Sequence, residues 1–441
     1  MSIFGGYDVR GKCPQELNED VARRLGKAFA FFTKNISIGF DNRDSSEKLF
    51  NAFLTGFVES SGKAVNVGLV PTPVLYYSIV KLGVDGGVMI TASHLPAEFN
   101  GFKFLKNKMP LSSRDLKDLE KNFNENYFVA GKGSESSASV VPAYLQHVLS
   151  LVKPVRKLKI VLDTGNGVCG PLAEKLYTAL GCEVVGLFLE PDASFPNHNP
   201  DPYKLENLKW LREAVVREKA DLGIGLDADG DRCLFVDNKG RPVAGDYSNV
   251  LFARDSLKKK PGAKIVGDFR NSMVLREEVA KVGGEFVEAK AGRVAAIEGL
   301  FSNKAVFSCE VTGHVCFIEN NGFDDGLFAG ARMIELLSNS SAPLSLLVDS
   351  IPKYFSDPEH RITVANKKEI ISSIKKSFEK KKIKFSELDG LKVVIDGAWG
   401  FARVSNTEPK ITLRFEGKTK EKMNEVKQLF SIELKKYGVK L

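Results

Sequence analysis

Histidine, tryptophan and cysteine are all scarce in this chain: five, two and six residues among 441. The cysteines (Cys13, Cys169, Cys182, Cys233, Cys309 and Cys316) show no Cys-x-x-Cys spacing and no histidine beside them. That spacing speaks against a zinc site and against a disulfide framework in a chain this long. Reduced, mostly buried thiols are expected. Long apolar runs are absent too, and nothing approaches the ~18–20 residues needed to span a bilayer. The opening MSIFGGYDVRGK has no charged stretch followed by an apolar one, so neither export nor membrane insertion is expected, and a cytoplasmic location is.

What is present reads as a multidomain globular protein. The length exceeds one ordinary core and suggests three or four domains. The net charge of +8 is uneven. Residues 351–441 hold 21 Lys and Arg against 12 Asp and Glu, whereas the first 350 hold 42 against 43. Much of the excess lies in KKEIISSIKKSFEKKKIKF (367–385), where Ile370, Ile371, Ile374 and Phe378 recur at helical spacing. Those lysines form the solvated face of an amphipathic helix, and no aromatic-interleaved basic groove supports nucleic-acid binding.

A repeat organises the first three quarters. A short apolar strand runs into an aspartate and a polar turn in ISIGFDNRDSS, KIVLDTGNGVCG and KIVGDFRNSM, centred on Asp41, Asp163 and Asp268. Alternation of strands with helical stretches predicts α/β units in threefold duplication. The expected fold is three similar α/β domains with mixed, largely parallel sheets (1–139, 140–242, 243–351). A smaller C-terminal α+β domain (352–441) completes it around a central cleft. LKVVIDGAWG (391–400) is a weaker cousin of the repeat in different surroundings.

Four loops carry chemistry. In TASHLPAEFNGFK (91–103), Ser93 is either part of an ordinary polar turn or a nucleophile with His94 and Lys103 close by. In DADGDR, Asp227, Asp229 and Asp231 crowd one turn that Gly230 permits, and such carboxylates repel unless a cation neutralises them. All-oxygen ligands suit a hard cation such as Mg²⁺. An EF-hand reading fails, because Arg232 and Asn238 stand where Gly and an acid are required. In CEVTGH, the side chains of Glu310, Thr312 and His314 could hold hydroxyls or exchange protons. In RVSNTEP, Arg403, Ser405, Asn406 and Thr407 offer donors that suit a phosphate dianion. Near the start, Arg10 stands between glycines in FGGYDVRGK.

Taken together and in this order, the loops resemble those of the α-D-phosphohexomutase family, the phosphomannomutase/phosphoglucomutase group. YDVRG and FPNHNPDP (195–202) resemble further family signatures. The resemblance implies a mutase interconverting hexose 1-phosphate and hexose 6-phosphate, mannose and/or glucose, through a phosphoserine at Ser93 and a bisphosphorylated sugar. It implies Mg²⁺ held by Asp227, Asp229 and Asp231 together with Ser93, and a hexose 1,6-bisphosphate activator. His94, Lys103, Arg10, Arg232 and His314 would serve proton transfer and charge neutralisation. Tyr7, Lys290, Glu310 and Thr312 would contact the substrate, and the 403–407 turn its distal phosphate. Small-molecule hexose phosphates would be the partners of a monomer or weak homodimer. Leu95 departs from the family's usual Asn, and Thr312, preceded by Val311, from its usual Ser. Two alternatives remain: a phosphoglucosamine mutase, and a metal-dependent sugar phosphatase with Asp227 as nucleophile.

Overall fold

The same four strands recur in each repeat. The computed structural model describes residues 3–404, 409–439 and 441. In it Asn35–Phe40, Lys159–Asp163 and Lys264–Asp268 are the central strands of three separate sheets. In the first sheet the central strand lies between parallel neighbours Lys63–Leu69 and Gly86–Ile90. In the second the neighbours are Glu183–Leu187 and Leu222–Leu226, and in the third Glu285–Ala289 and Phe307–Cys309. The last strand of each trio then folds back on an antiparallel partner: Phe99–Lys106, Cys233–Asp237 or Val315–Phe317. Parallel neighbours require crossovers, and helices such as Ser46–Val58 and Thr72–Lys81 supply them.

The first sheet is the widest. Asp8–Lys12 extends it beyond Phe99–Lys106, and Ser134–Ser137 closes its other edge. Among the described residues the C-terminal sheet has six strands, all antiparallel. LKVVIDGAWG is there a hairpin of Leu391–Ile395 with Ala398–Val404, not a fourth copy of the repeat. The amphipathic helix expected over 367–385 ends at Lys380. Ile370, Ile374 and Phe378 are its buried stripe, and Lys382 adopts a left-handed φ of 57° that stops the helical turn.

One apolar core runs through the first three units without a break, from Tyr76 and Met89 through Ile160 and Leu226 to Phe252 and Phe307. The C-terminal unit has its own core around Ile374, Phe378, Leu413 and Phe430. A small patch of Phe269, Ala291, Trp399 and Phe401 joins it to the third unit. The shared topology fixes where function can sit. In all three repeats the hairpin after the third strand opens at the carboxyl end of parallel strands, where ligands bind in open α/β sheets. These hairpins are Thr91–Glu98, Asp227–Arg232 and Glu310–His314, the three candidate loops.

Candidate active site

Ser93 follows a wholly buried strand by three residues. Its φ is +52°, uncommon for a residue with a Cβ, and its amide donates to Thr91 Oγ1 at 2.8 Å. The hydroxyl donates to Asp227 Oδ2 at 2.7 Å and lies 3.3 Å from His94 Nδ1. Burial first, then the charges of Arg232 and Arg10, drive the His94 pKa far below the ordinary imidazole value, so its ring is neutral at pH 7.

Gly230, at φ +75°, lets the DADGDR hairpin turn tightly enough for three carboxylates to face one point. Oxygens of Asp227, Asp229 and Asp231 lie within 4.8 Å of one another, and all three residues are fully buried. Burial first, then repulsion by Asp229 and Asp231, raises the Asp227 pKa well above the carboxylate range. Lys103, on strand Phe99–Lys106, points its ammonium at the cluster, donating to Asp229 Oδ2 at 2.6 Å and also to Asp231. Burial alone would lower the lysine pKa, but these two carboxylates raise it, so Lys103 stays charged. One ammonium does not satisfy three acids. Asp229 Oδ1 and Asp231 Oδ1 are buried without a hydrogen-bond partner, a costly condition that a divalent cation would relieve. The oxygen-only donor set fits a hard cation.

The third hairpin faces these two. Glu310 Oε1 accepts from the Gly292 amide at 2.6 Å and from Arg270 Nη2 at 3.0 Å. His314 Nε2 accepts from Arg232 Nε at 2.8 Å, since a guanidinium can only donate. That assigns the proton of a neutral His314 ring to Nδ1, which lies 2.8 Å from Asp324 Oδ2. From the N-terminal strand, Asp8 pairs with both Arg10 (3.2 Å) and the buried Arg293 (2.6 Å). From the C-terminal unit, Arg403 meets Asp389 at 3.3 Å, and Asp389 also accepts from the Ala291 amide at 3.0 Å.

These groups enclose a cleft of about 710 Å³. Tyr7, Arg10, Ser93, Lys103, Asp231, Arg232, Lys290, Glu310, Thr312, His314 and Arg403 all line it. Asp227 and Asp229 are fully buried behind that surface, and the half-buried His94 is next to Ser93 without lining the cleft. Ser405, Asn406 and Thr407 lie outside the described residues. Sequence reasoning missed Asp8, Arg270, Arg293 and Asp389, which also line the cleft. A signal existed for Arg270: it follows the repeat aspartate Asp268 as Arg43 follows Asp41, an Asp-x-Arg pattern in the first and third repeats. Asp8 lies within the YDVRG motif without having been singled out, whereas Arg293 and Asp389 are brought in by contacts between distant segments.

Four family models match successive segments of the chain. They are the phosphoglucomutase/phosphomannomutase alpha/beta/alpha domains I (residues 1–130), II (142–240) and III (244–355), and the C-terminal domain (359–431). The chain belongs to the phosphoglucomutase/phosphomannomutase family. A phosphomannomutase/phosphoglucomutase of Pseudomonas syringae pv. tomato is 38% identical, covering 99% of this chain and 95% of its own. A phosphoglucomutase of Neisseria gonorrhoeae is 36% identical over 97% and 95%. The crystal structure of a phosphoglucomutase/phosphomannomutase family protein from Burkholderia thailandensis superposes with a TM-score of 0.93. It is 34% identical and covers 99% of this chain and 97% of its own.

Proposed function

We propose that this chain interconverts hexose 1-phosphate and hexose 6-phosphate, with mannose and/or glucose as the sugar, through a phosphoryl group carried on Ser93. The observation that carries the reading is the Ser93 hydroxyl, which lines the cleft while bonded to the first of three buried carboxylates, two of which keep an oxygen without a hydrogen-bond partner. In the first transfer the bond from phosphorus to Ser93 Oγ breaks and one forms to the free hydroxyl of the sugar, giving hexose 1,6-bisphosphate. The hydroxyl proton passes to a cleft base. After the sugar turns over, its other phosphoryl group returns to Ser93 and the isomer leaves.

Such transfers depend on positioning and charge neutralisation more than on covalent chemistry. Asp227, Asp229 and Asp231, together with the phosphate on Ser93, would hold Mg²⁺, whose charge would offset that of the phosphoryl group. Lys103, Arg10 and Arg232 add fixed positive charge, and His94 and His314 are the proton-exchanging candidates, His94 entering as a neutral ring. Glu310 and Thr312 grip sugar hydroxyls, with Tyr7 and Lys290 beside them. Arg403, Ser405, Asn406 and Thr407 hold the distal phosphate, whose binding energy aligns the reacting end. Hexose 1,6-bisphosphate acts as activator by reloading Ser93. We assign domains to 1–139, 140–242, 243–351 and 352–441 of a cytoplasmic monomer or weak homodimer, with no nucleic-acid or membrane partner.

Asp227 is a poor nucleophile here, because it is fully buried behind Ser93 and held by the Ser93 hydroxyl and the Arg232 amide. ³¹P NMR with Mg²⁺, mannose 1-phosphate and a trace of bisphosphate tests the reading, repeated with glucose and glucosamine 1-phosphates. A growing 6-phosphate resonance is expected, abolished in Ser93→Ala, and the relative rates rank the sugars. Growth of inorganic phosphate instead would assign the chemistry to Asp227 and overturn it.

A further inference from the structure

Arg43 lies outside the cleft, its side chain fully buried behind the Ser93 loop. Its five N–H groups all have acceptors. Nε donates to Asp41 Oδ2 at 3.1 Å. Nη1 donates to the carbonyls of Pro96 at 2.7 Å and Phe99 at 3.0 Å. Nη2 donates to those of Ser93 at 2.5 Å and Leu95 at 2.7 Å. Asp41 in turn accepts the Arg43 amide and the Ser46 hydroxyl, which tie the acid to its own turn. The guanidinium also sits 5.1 Å from the Phe195 ring of the second unit.

Three carbonyls of one turn and that of Phe99, the first residue of the next strand, therefore converge on a single planar ion. The turn has few backbone bonds of its own, and Ser93 sits at a φ that a serine rarely adopts. Such a conformation persists only where its surroundings over-determine it, and here the guanidinium does so. We propose that Arg43 is the positioning residue of the phosphoryl-carrying serine. It sets the Ser93 Oγ direction toward Asp227 and the cleft without touching substrate. The inference rests on the reading of Ser93 as the phosphate carrier. A lysine cannot replace it, because an ammonium has three donors and no fork, whereas the turn and the strand after it present four carbonyls and Asp41 a fifth acceptor.

The test is Arg43→Lys, with Asp41→Asn as the milder variant, which keeps the four carbonyl bonds but weakens the anchor of Nε. Wild-type protein must first show mutase turnover and ³²P incorporation at Ser93 from labelled hexose 1,6-bisphosphate; failure there defeats the functional reading and leaves Arg43 aside. With that in hand, Arg43→Lys should lower kcat and the rate of Ser93 labelling by about a hundredfold, the scale of a misplaced reacting atom. KM and the calorimetric Kd for hexose 6-phosphate should stay within about threefold. Asp41→Asn should give a smaller fall of the same kind. Turnover of Arg43→Lys within about threefold of wild type would overturn the proposal, as would a rise in KM matching the fall in kcat. If Arg43→Lys does not fold, Asp41→Asn decides: unchanged kcat overturns the proposal, and a selective fall in kcat and labelling supports it.

Discussion

Thr72 shows how a residue with no chemistry of its own prepares the metal loop. It opens the helix Thr72–Lys81 of the first unit, and both its amide (2.9 Å, to the Asp229 carbonyl) and its hydroxyl (2.5 Å, to Asp229 Oδ2) hold the second unit's aspartate. Partners of this kind orient ligating carboxylates. Thr72→Val should therefore weaken divalent-cation affinity by about tenfold, read by calorimetric Mg²⁺ titration; unchanged affinity would mean that the hairpin alone sets the carboxylate. Glu310→Gln keeps the acceptor for Gly292 but removes one of the two carboxylate charges, with Asp268, that pair with Arg270 at the cleft. KM for the hexose phosphate should rise about tenfold with kcat within threefold, and steady-state kinetics decides. At this scale the candidate site was legible where it is built from short loops: Ser93, the three aspartates, Glu310 and His314 were all visible as local patterns. Thr72, Arg293 and Asp389 were not, because each acts across a junction between segments far apart in the chain.

Among the elements, helices Glu19–Phe29 and Ser46–Val58 approach more closely than side chains allow. A Cβ on Gly56 would lie 1.9 Å from the Arg23 carbonyl, and one on Gly26 would lie 2.1 Å from that of Phe53. Gly56→Ala should cost about 1–3 kcal/mol through forced separation of the helices, measured by urea unfolding; a neutral effect would show that the pair can slide. A second element-level effect is electrostatic. Glu433, buried on helix Lys420–Lys435, accepts from Ser377, Lys381 and Lys436. Its burial raises the pKa, but these partners outweigh it and hold the carboxyl at about 2, against an ordinary 4.5. A carboxylate with a depressed folded-state pKa stabilises above its ordinary value and loses that contribution as pH falls through the depressed one. Thermal unfolding between pH 5 and 2 should therefore show the C-terminal unit weakening in this window, and Glu433→Gln should flatten the change. Helical periodicity revealed the 367–380 stripe in advance. The hairpin nature of LKVVIDGAWG stayed hidden, since a short apolar strand reads alike in parallel and antiparallel surroundings.

At the scale of the molecule, the first three units share one core, whereas the fourth has its own and docks through a small aromatic patch and a set of polar bridges from Asp389, Lys392, Arg414, Glu416 and Lys418. Phe269 and Phe401 lie 4.7 Å apart, Trp399 stacks on Phe401, and Lys392 bridges to the Phe269 carbonyl and Glu288. The fourth unit carries Arg403 to the cleft, so loosening this joint should affect binding before chemistry. Phe401→Leu should raise KM about fivefold while kcat changes less than twofold, with faster limited proteolysis near residues 351–358. Proteolysis and KM both at wild-type values would assign the joint to the polar bridges.

By itself the sequence determined the α/β alternation, the threefold repeat, the family resemblance and most of the residues proposed for the site. Each of these is encoded within ten or so consecutive residues, through periodicity, turn chemistry and motif spacing. Only the tertiary structure decided that the three functional hairpins are equivalent corners of one repeated topology. It alone showed that Asp227 stands behind Ser93 rather than on the cleft, and that a buried arginine grips the serine turn. Those facts depend on burial and on contacts between segments 50 to 134 residues apart, and neither leaves a local trace in the chain.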